Sequence, residues 1–146
     1  MEWFVRAFLK AALTWLGLGV TLGVAMAAHP GWMVYRPAHV HMSLLGFVTM
    51  MIFGVGYHVL PRFSGHALHS RRLGGLHWGL ANLGLAMMVA GFGLAPHLGA
   101  RATPILAAGG TLSALGAYLF IFNIWRTIGG PAPQPVPLRR SALTPV

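Results

Sequence analysis

The chain has 146 residues, of which 56% are hydrophobic and only 8% charged, with a net charge of +9 and no cysteine. A soluble domain carries about 25% charged residues, so a water-covered globular surface is excluded. The lack of cysteine excludes disulfides and thiolate metal sites, and a single acid, Glu2, excludes carboxylate-pair catalysis and carboxylate-bridged metals.

An all-α fold follows, a bundle of four transmembrane helices, because a bilayer core about 30 Å thick needs roughly 20 apolar residues per crossing. The first expected span covers residues 4–28. Arg6 and Lys10 ahead of an apolar run, with Ala25-Met26-Ala27 behind it, also imitate a cleavable leader. The run is long enough to span, so it is expected to stay as a helix. The second span covers residues 37–60, opening on Pro37 at a position where a missing N–H costs nothing. The third covers residues 73–94 and the fourth residues 104–128, with Pro104 again at the start. Residues 129–146 hold Pro131, Pro133, Pro135 and Pro137 and form a proline-rich cytoplasmic tail.

Charge placement orients the bundle. Arg6, Lys10, Arg62, Arg71, Arg72, Arg126, Arg139 and Arg140 lie on one side, and only Arg36 and Arg101 on the other. Both termini are therefore expected in the cytoplasm, in a multi-pass protein of a bacterial-type inner membrane. The basic balance suits an anionic lipid bilayer and not nucleic acid, because the cations sit between apolar segments. Small residues at helical spacing (Gly19 and Gly23, Gly75 and Gly79, then Gly109, Ser113 and Gly116) allow close helix contact within the bundle or in a homo-oligomer. Asn82 and Asn123 are expected to tie helices together, and the eight methionines to serve as apolar packing.

Histidine is the one residue type here suited to chemistry, since ionisable groups at membrane depth are costly. His29, His66 and His69 fall in or beside loops. His39 and His41 open the second span, His58 lies near its far end, His77 lies early in the third and His97 just beyond it. Reflection about the loop near residue 67 puts His58 level with His77 and His39 level with His97, giving an inner and an outer layer. Imidazole ligates haem iron, copper or zinc. A porphyrin is flat and apolar and suits a glycine-lined gap, with Arg36 placed to meet its carboxylates. Neighbours at i and i+2 on a helix face nearly opposite ways, so His39 and His41 are not expected to share one metal. The candidate metal ligands are His39, His41, His77 and His97, with His58 and Arg36 as further cofactor-binding residues.

The segment from Arg36-Pro37-Ala38-His39 to Gly56-Tyr57-His58-Val59-Leu60-Pro61 resembles the second helix of subunit I in the haem-copper oxygen and nitric-oxide reductases. The stretch Leu76-His77-Trp78-Gly79-Leu80-Ala81-Asn82-Leu83-Gly84 resembles the third helix of small relatives of that family. The resemblance implies a haem b whose axial ligand is His39, or His41 by its distance to Pro61. It covers roughly sixty residues, and the full enzymes use about twelve helices. A complete oxidase is therefore not expected. The second axial ligand must come from His97, His77, another histidine or a second subunit, or the iron is five-coordinate. The expected function is a membrane-bound b-type haem protein for electron transfer or for binding a diatomic gas, nitric oxide or oxygen. The alternatives are a non-catalytic accessory or assembly subunit of a larger respiratory complex, and a histidine-built copper or zinc site.

Overall fold

The structure is a computed structural model and describes residues 1–130. The expected proline-rich tail lies, from residue 131, outside the described residues. Everything described is helix, turn or short connection: α1 (Trp3–Ala28), a 3₁₀ helix (Pro30–Tyr35), α2 (Arg36–His41), a π-helix (Met42–Thr49), α3 (Met50–Ser64), α4 (Arg71–Leu98), a second 3₁₀ helix (Gly99–Ala102) and α5 (Thr103–Ile128).

Three continuous helical stretches are long and apolar enough to cross a membrane: Trp3–Ala28, Pro30–Ser64 and Arg71–Ile128. They place the chain in a membrane. The expectation of four separate spanning helices is not matched in that form. Helical backbone runs on through Gly99–Ala102, so the third and fourth expected spans join into one stretch of 58 residues. The direction of the chain nevertheless changes there, at Gly99 with φ +54°, a conformation open to glycine at little cost. Helical conformation also extends past two prolines expected to lie outside the spans. Pro61 sits inside α3, which ends at Gly65 with φ +70°, and Pro96 sits inside α4.

Two antiparallel pairings organise the chain, and glycine makes both possible. Along α1 and the second stretch, Gly19 meets Ser43, Gly23 meets His39, Trp15 meets Gly46 and Leu9 meets Gly54. Along α4 and α5, Gly91 meets Leu106, Gly84 meets Gly109 and Ser113, and Gly116 meets His77. The partners run in opposite chain order in each case. The closest approach is backbone on backbone. A Cβ at Gly84 would lie 2.7 Å from the Gly109 carbonyl oxygen, and one at Gly109 would lie 2.7 Å from the Gly84 carbonyl oxygen. Such approach gives dispersion contact where lipid offers no hydrophobic drive for helix association.

The shared core is aromatic and lies toward the 65–70 loop: Phe4, Phe8 and Tyr57 with Met50 and Leu85. Leu13, Leu18, Val24, Ile52, Leu83, Leu115 and Ile121 are exposed, as expected where lipid is the solvent. Asn123 is fully buried and holds the loop. Its Oδ1 accepts from the Ser70 N–H at 2.9 Å and its Nδ2 donates to the Ser70 carbonyl at 2.9 Å. Thr127 Oγ1 accepts from the His69 N–H at 3.0 Å. Ser70 then caps α4, its hydroxyl accepting from the Leu73 N–H at 3.3 Å. Asn82 bridges α1 and α4, accepting from the Trp15 indole N–H at 3.4 Å.

Gly84→Ala forces α4 and α5 apart and is expected to cost about 1–3 kcal/mol. Gly17→Ala, with nothing within 4 Å of the new methyl, is expected to be neutral or to stabilise by up to about 1 kcal/mol. Unfolding of the detergent-solubilised variants in sodium dodecyl sulfate measures both.

Candidate functional site

His39 is the fourth residue of α2 and turns toward α1. Its Nδ1 is 2.8 Å from the Gly19 carbonyl oxygen. A carbonyl only accepts, so Nδ1 carries the proton and Nε2 is left as a bare lone pair. The contact exists because α1 has no side chain in the way: a Cβ at Gly23 would lie 2.9 Å from His39 Cε1. The half-buried ring is thus fixed in tautomer and direction, the arrangement by which proteins prepare a histidine for a metal.

His41 faces elsewhere. Its Nδ1 donates to the Pro37 carbonyl at 2.8 Å and its ring stacks at 4.6 Å on Phe92 of α4. This also leaves Nε2 bare, toward the outside of the bundle. His97 is exposed at the end of α4, with Nε2 3.0 Å from the Tyr35 hydroxyl. Arg36 is exposed at the start of α2. His58 is half-buried, and the Arg62 guanidinium donates to its Nδ1 at 2.9 Å.

His77 is the most enclosed of the histidines, with no exposed surface. Its ring centroid lies 4.4 Å from Phe53, 4.8 Å from Phe8, 5.7 Å from Phe120 and 5.8 Å from Tyr57. Nδ1 is 3.1 Å from the Tyr57 hydroxyl, and Nε2 has no hydrogen-bond partner.

The expected layers thus resolve into separate environments. His77 pairs with Tyr57, one residue from the expected His58, and His97 pairs with Tyr35, one turn from the expected His39. Depth reads correctly from the reflection, but the faces differ. Among the described residues no three of histidine, cysteine, aspartate or glutamate gather into a metal-binding group, which leaves a copper or zinc centre built from the layers within one chain without a ligand set. The two tyrosines are the residues that sequence reasoning passed over. Tyr57 was visible as the residue beside His58, and Tyr35 as the neighbour of Arg36.

Cavities lie away from His39. Clefts of about 510 and 480 Å³ flank the 65–70 loop, and a half-open, almost wholly apolar hollow of about 60 Å³ is walled by Leu45, Thr49, Phe53, Ala81, Ser113 and Ala117 among others. Among the described residues, His39 does not line these clefts or this hollow.

No family model matches the chain. It is 26% identical to the Cbb3-type cytochrome c oxidase subunit CcoN1 of Stutzerimonas stutzeri, over 88% of this chain and 34% of that protein. The relationship to haem-copper oxidase subunits is distant, and the chain spans about a third of the length of that relative.

Truncating His77 to alanine opens a hole among four aromatic rings and is expected to cost about 2–5 kcal/mol. His41→Ala, half-buried against a single ring, is expected to cost less, about 1 kcal/mol. Thermal unfolding in detergent, followed by tryptophan fluorescence, compares the two.

Proposed function

We propose that the protein is a membrane-bound b-type haem subunit of respiratory-oxidase kind, whose iron is held by His39 through Nε2. The observation that carries this reading is the 2.8 Å bond from His39 Nδ1 to the Gly19 carbonyl. It sets the one tautomer that can ligate through Nε2, and it raises the basicity of that nitrogen. The distant likeness to an oxidase subunit, and the match of Arg36-Pro37-Ala38-His39 to the family pattern, support the same residue.

Four membrane crossings belong to this reading. α4 and α5 are 28 and 26 residues long, each enough to cross at about 1.5 Å per residue, and they pack side by side after the reversal at Gly99. The start of α1 and the end of α5 then lie on the side of the 65–70 loop, which the arginine distribution assigns to the cytoplasm.

The residues present fit the haem in donor chemistry. His39 supplies an oriented imidazole, Arg36 at the same end of α2 supplies a cation for a propionate, and the exposed apolar flanks suit a porphyrin face. His77 is left out of the ligand set, because four rings enclose it. A second ligand would come from His97, on release from Tyr35, or from a partner subunit. Haem on the outer face of the helices makes a homo-oligomer or a larger respiratory complex the natural setting. When bound, the haem supplies a one-electron couple or a site for a diatomic gas. The chain contributes orientation of the ligand, an apolar surround, and Gly19 and Gly23 as the smooth wall on which His39 rests.

The protein purified from cells supplied with haem is expected to show a Soret band that His39→Ala reduces at least tenfold and His41→Ala reduces by less than half. Gly23→Leu, which pushes on His39 without removing a ligand, is expected to weaken haem retention while leaving the helical circular dichroism unchanged. Retention of full colour by His39→Ala would contradict the assignment. Co-purification of a colourless chain with larger oxidase subunits would favour an accessory role.

A further inference from the structure

Two features of α3 that the haem reading leaves unused adjoin each other. The first is the polar cleft of about 480 Å³ beside the 65–70 loop, whose charged and imidazole side chains are Glu2, His58, Arg62, His66 and Arg71. Glu2 and Arg71 pair at 3.1 Å, which leaves Arg62 as the uncompensated cation of the cleft. Arg62 Nη1 donates to His58 Nδ1 at 2.9 Å and to the His58 carbonyl. These bonds hold the guanidinium in place, and among the described residues they leave its Nη2 and Nε donors to a ligand. Because His58 Nδ1 accepts, the proton of the neutral ring is on Nε2, and His58 adds an N–H donor. The second feature is an apolar groove of about 400 Å³ on the exposed flank of α3, walled by Met51, Ile52, Val55, Gly56, Val59 and Leu60. Met51, Val55, His58 and Arg62 recur at helical spacing on one face, so the groove leads to the cleft.

The two features stand at the depths of the two parts of a lipid. Phe47 is the midpoint of the second spanning stretch, Pro30–Ser64. With Phe47 level with the bilayer centre, Met51 lies about 6 Å and Arg62 about 22 Å away from it, at about 1.5 Å per residue. The first depth is within the hydrocarbon of one leaflet, about 15 Å thick, and the second is among the headgroups of a bilayer about 40–45 Å thick in all. Trp3, half-exposed beside Arg71 and Arg72, marks the same level, as amphipathic rings do at a membrane interface.

We infer that α3 carries a binding site for an anionic phospholipid of the loop-side leaflet. Its phosphodiester sits in the cleft on Arg62 and the Nε2–H of His58, and one acyl chain lies along the groove of residues 51–60. Charge selects this occupant. A phosphodiester carries one negative charge and offers only acceptors, which match one free guanidinium and an imidazole N–H. A choline lipid brings a quaternary ammonium as well, to a cleft whose one acidic side chain is already paired. The inference rests on the membrane location alone and stands whether or not His39 holds iron.

Native mass spectrometry of the full-length protein tests it. The protein is released from micelles holding equal amounts of phosphatidylglycerol and phosphatidylcholine with identical acyl chains, and the retained lipid is counted. A preference of about fivefold for phosphatidylglycerol is expected, as for one basic residue at an anionic surface. Arg62→Gln is expected to abolish the preference. Arg126→Gln, which removes the same charge from the other loop-side cleft, is expected to leave it unchanged. Val55→Trp, which fills the groove, is expected to lower the retention of both lipids severalfold. Equal retention of the two lipids by the unsubstituted protein would overturn the inference. So would equal loss of preference in Arg62→Gln and Arg126→Gln, which means general attraction to a basic surface. Displacement of the lipid by excess inorganic phosphate, with Val55→Trp having no effect, would make the cleft a site for a free anion and overturn it too. Should the variants not fold, a phosphatidylglycerol with a photoreactive acyl chain decides in the unsubstituted protein. Cross-links concentrated in residues 51–60 agree with the site, and cross-links spread evenly over the exposed faces of all the helices rule it out.

Discussion

Close backbone approach between glycine-faced helices is the constraint on which this molecule depends. In a bilayer the backbone must satisfy its own polar groups, so each crossing is a continuous helix. Association of those helices then rests on packing and on a few interhelical hydrogen bonds. Gly84 against Gly109 sets the spacing of α4 and α5, and Gly19 and Gly23 set that of α1 and α2. The second contact has a chemical consequence, because a helix with side chains at those positions would hold the His39 ring away from the Gly19 carbonyl. That carbonyl has a second lone pair free beyond its intrahelical bond, and it becomes the group that orients an imidazole.

The π-helix at Met42–Thr49 follows His41 directly. On one side of it His39 meets α1, and on the other Tyr57 and Phe53 pack among rings of α1, α4 and α5. Wide turns of this kind are rare and recur at functional sites. Here one helical stretch serves two separate environments, a half-buried imidazole near one end and an aromatic enclosure near the other. The buried Asn123 then fixes the loop that separates the two clefts at that second end.

Much of this was legible in the sequence. Apolar length and proline placement point to long helices near those observed, and the structure holds both His39 and His41 by Nδ1 on a backbone carbonyl. The reversal at Gly99 was read as a break, because Pro96 and Gly99 punctuate the sequence there. In the folded chain helical geometry continues through it. Pro61 misled in the same way, since a proline in a last turn loses little hydrogen bonding. The π-helix carried no signal in residues 42–49, an ordinary apolar run. That Tyr57 meets His77 and Tyr35 meets His97 could not be read in advance, because depth along a helix follows from counting, whereas the face a side chain takes depends on crossing angles and on that unseen π-helix. Tyr35 and Tyr57 escaped notice because a tyrosine beside an arginine or a histidine reads as an interfacial anchor.

The central claim is that His39 meets iron through Nε2 with Nδ1 tied to Gly19. Pulsed electron paramagnetic resonance of the ferric protein, with histidine labelled by ¹⁵N at Nε2 alone, tests it most directly. The account predicts a strongly coupled ¹⁵N nucleus that disappears when His39 is replaced and persists when His77 is replaced. A ferric centre without that coupling, or one whose coupling survives loss of His39, would contradict it.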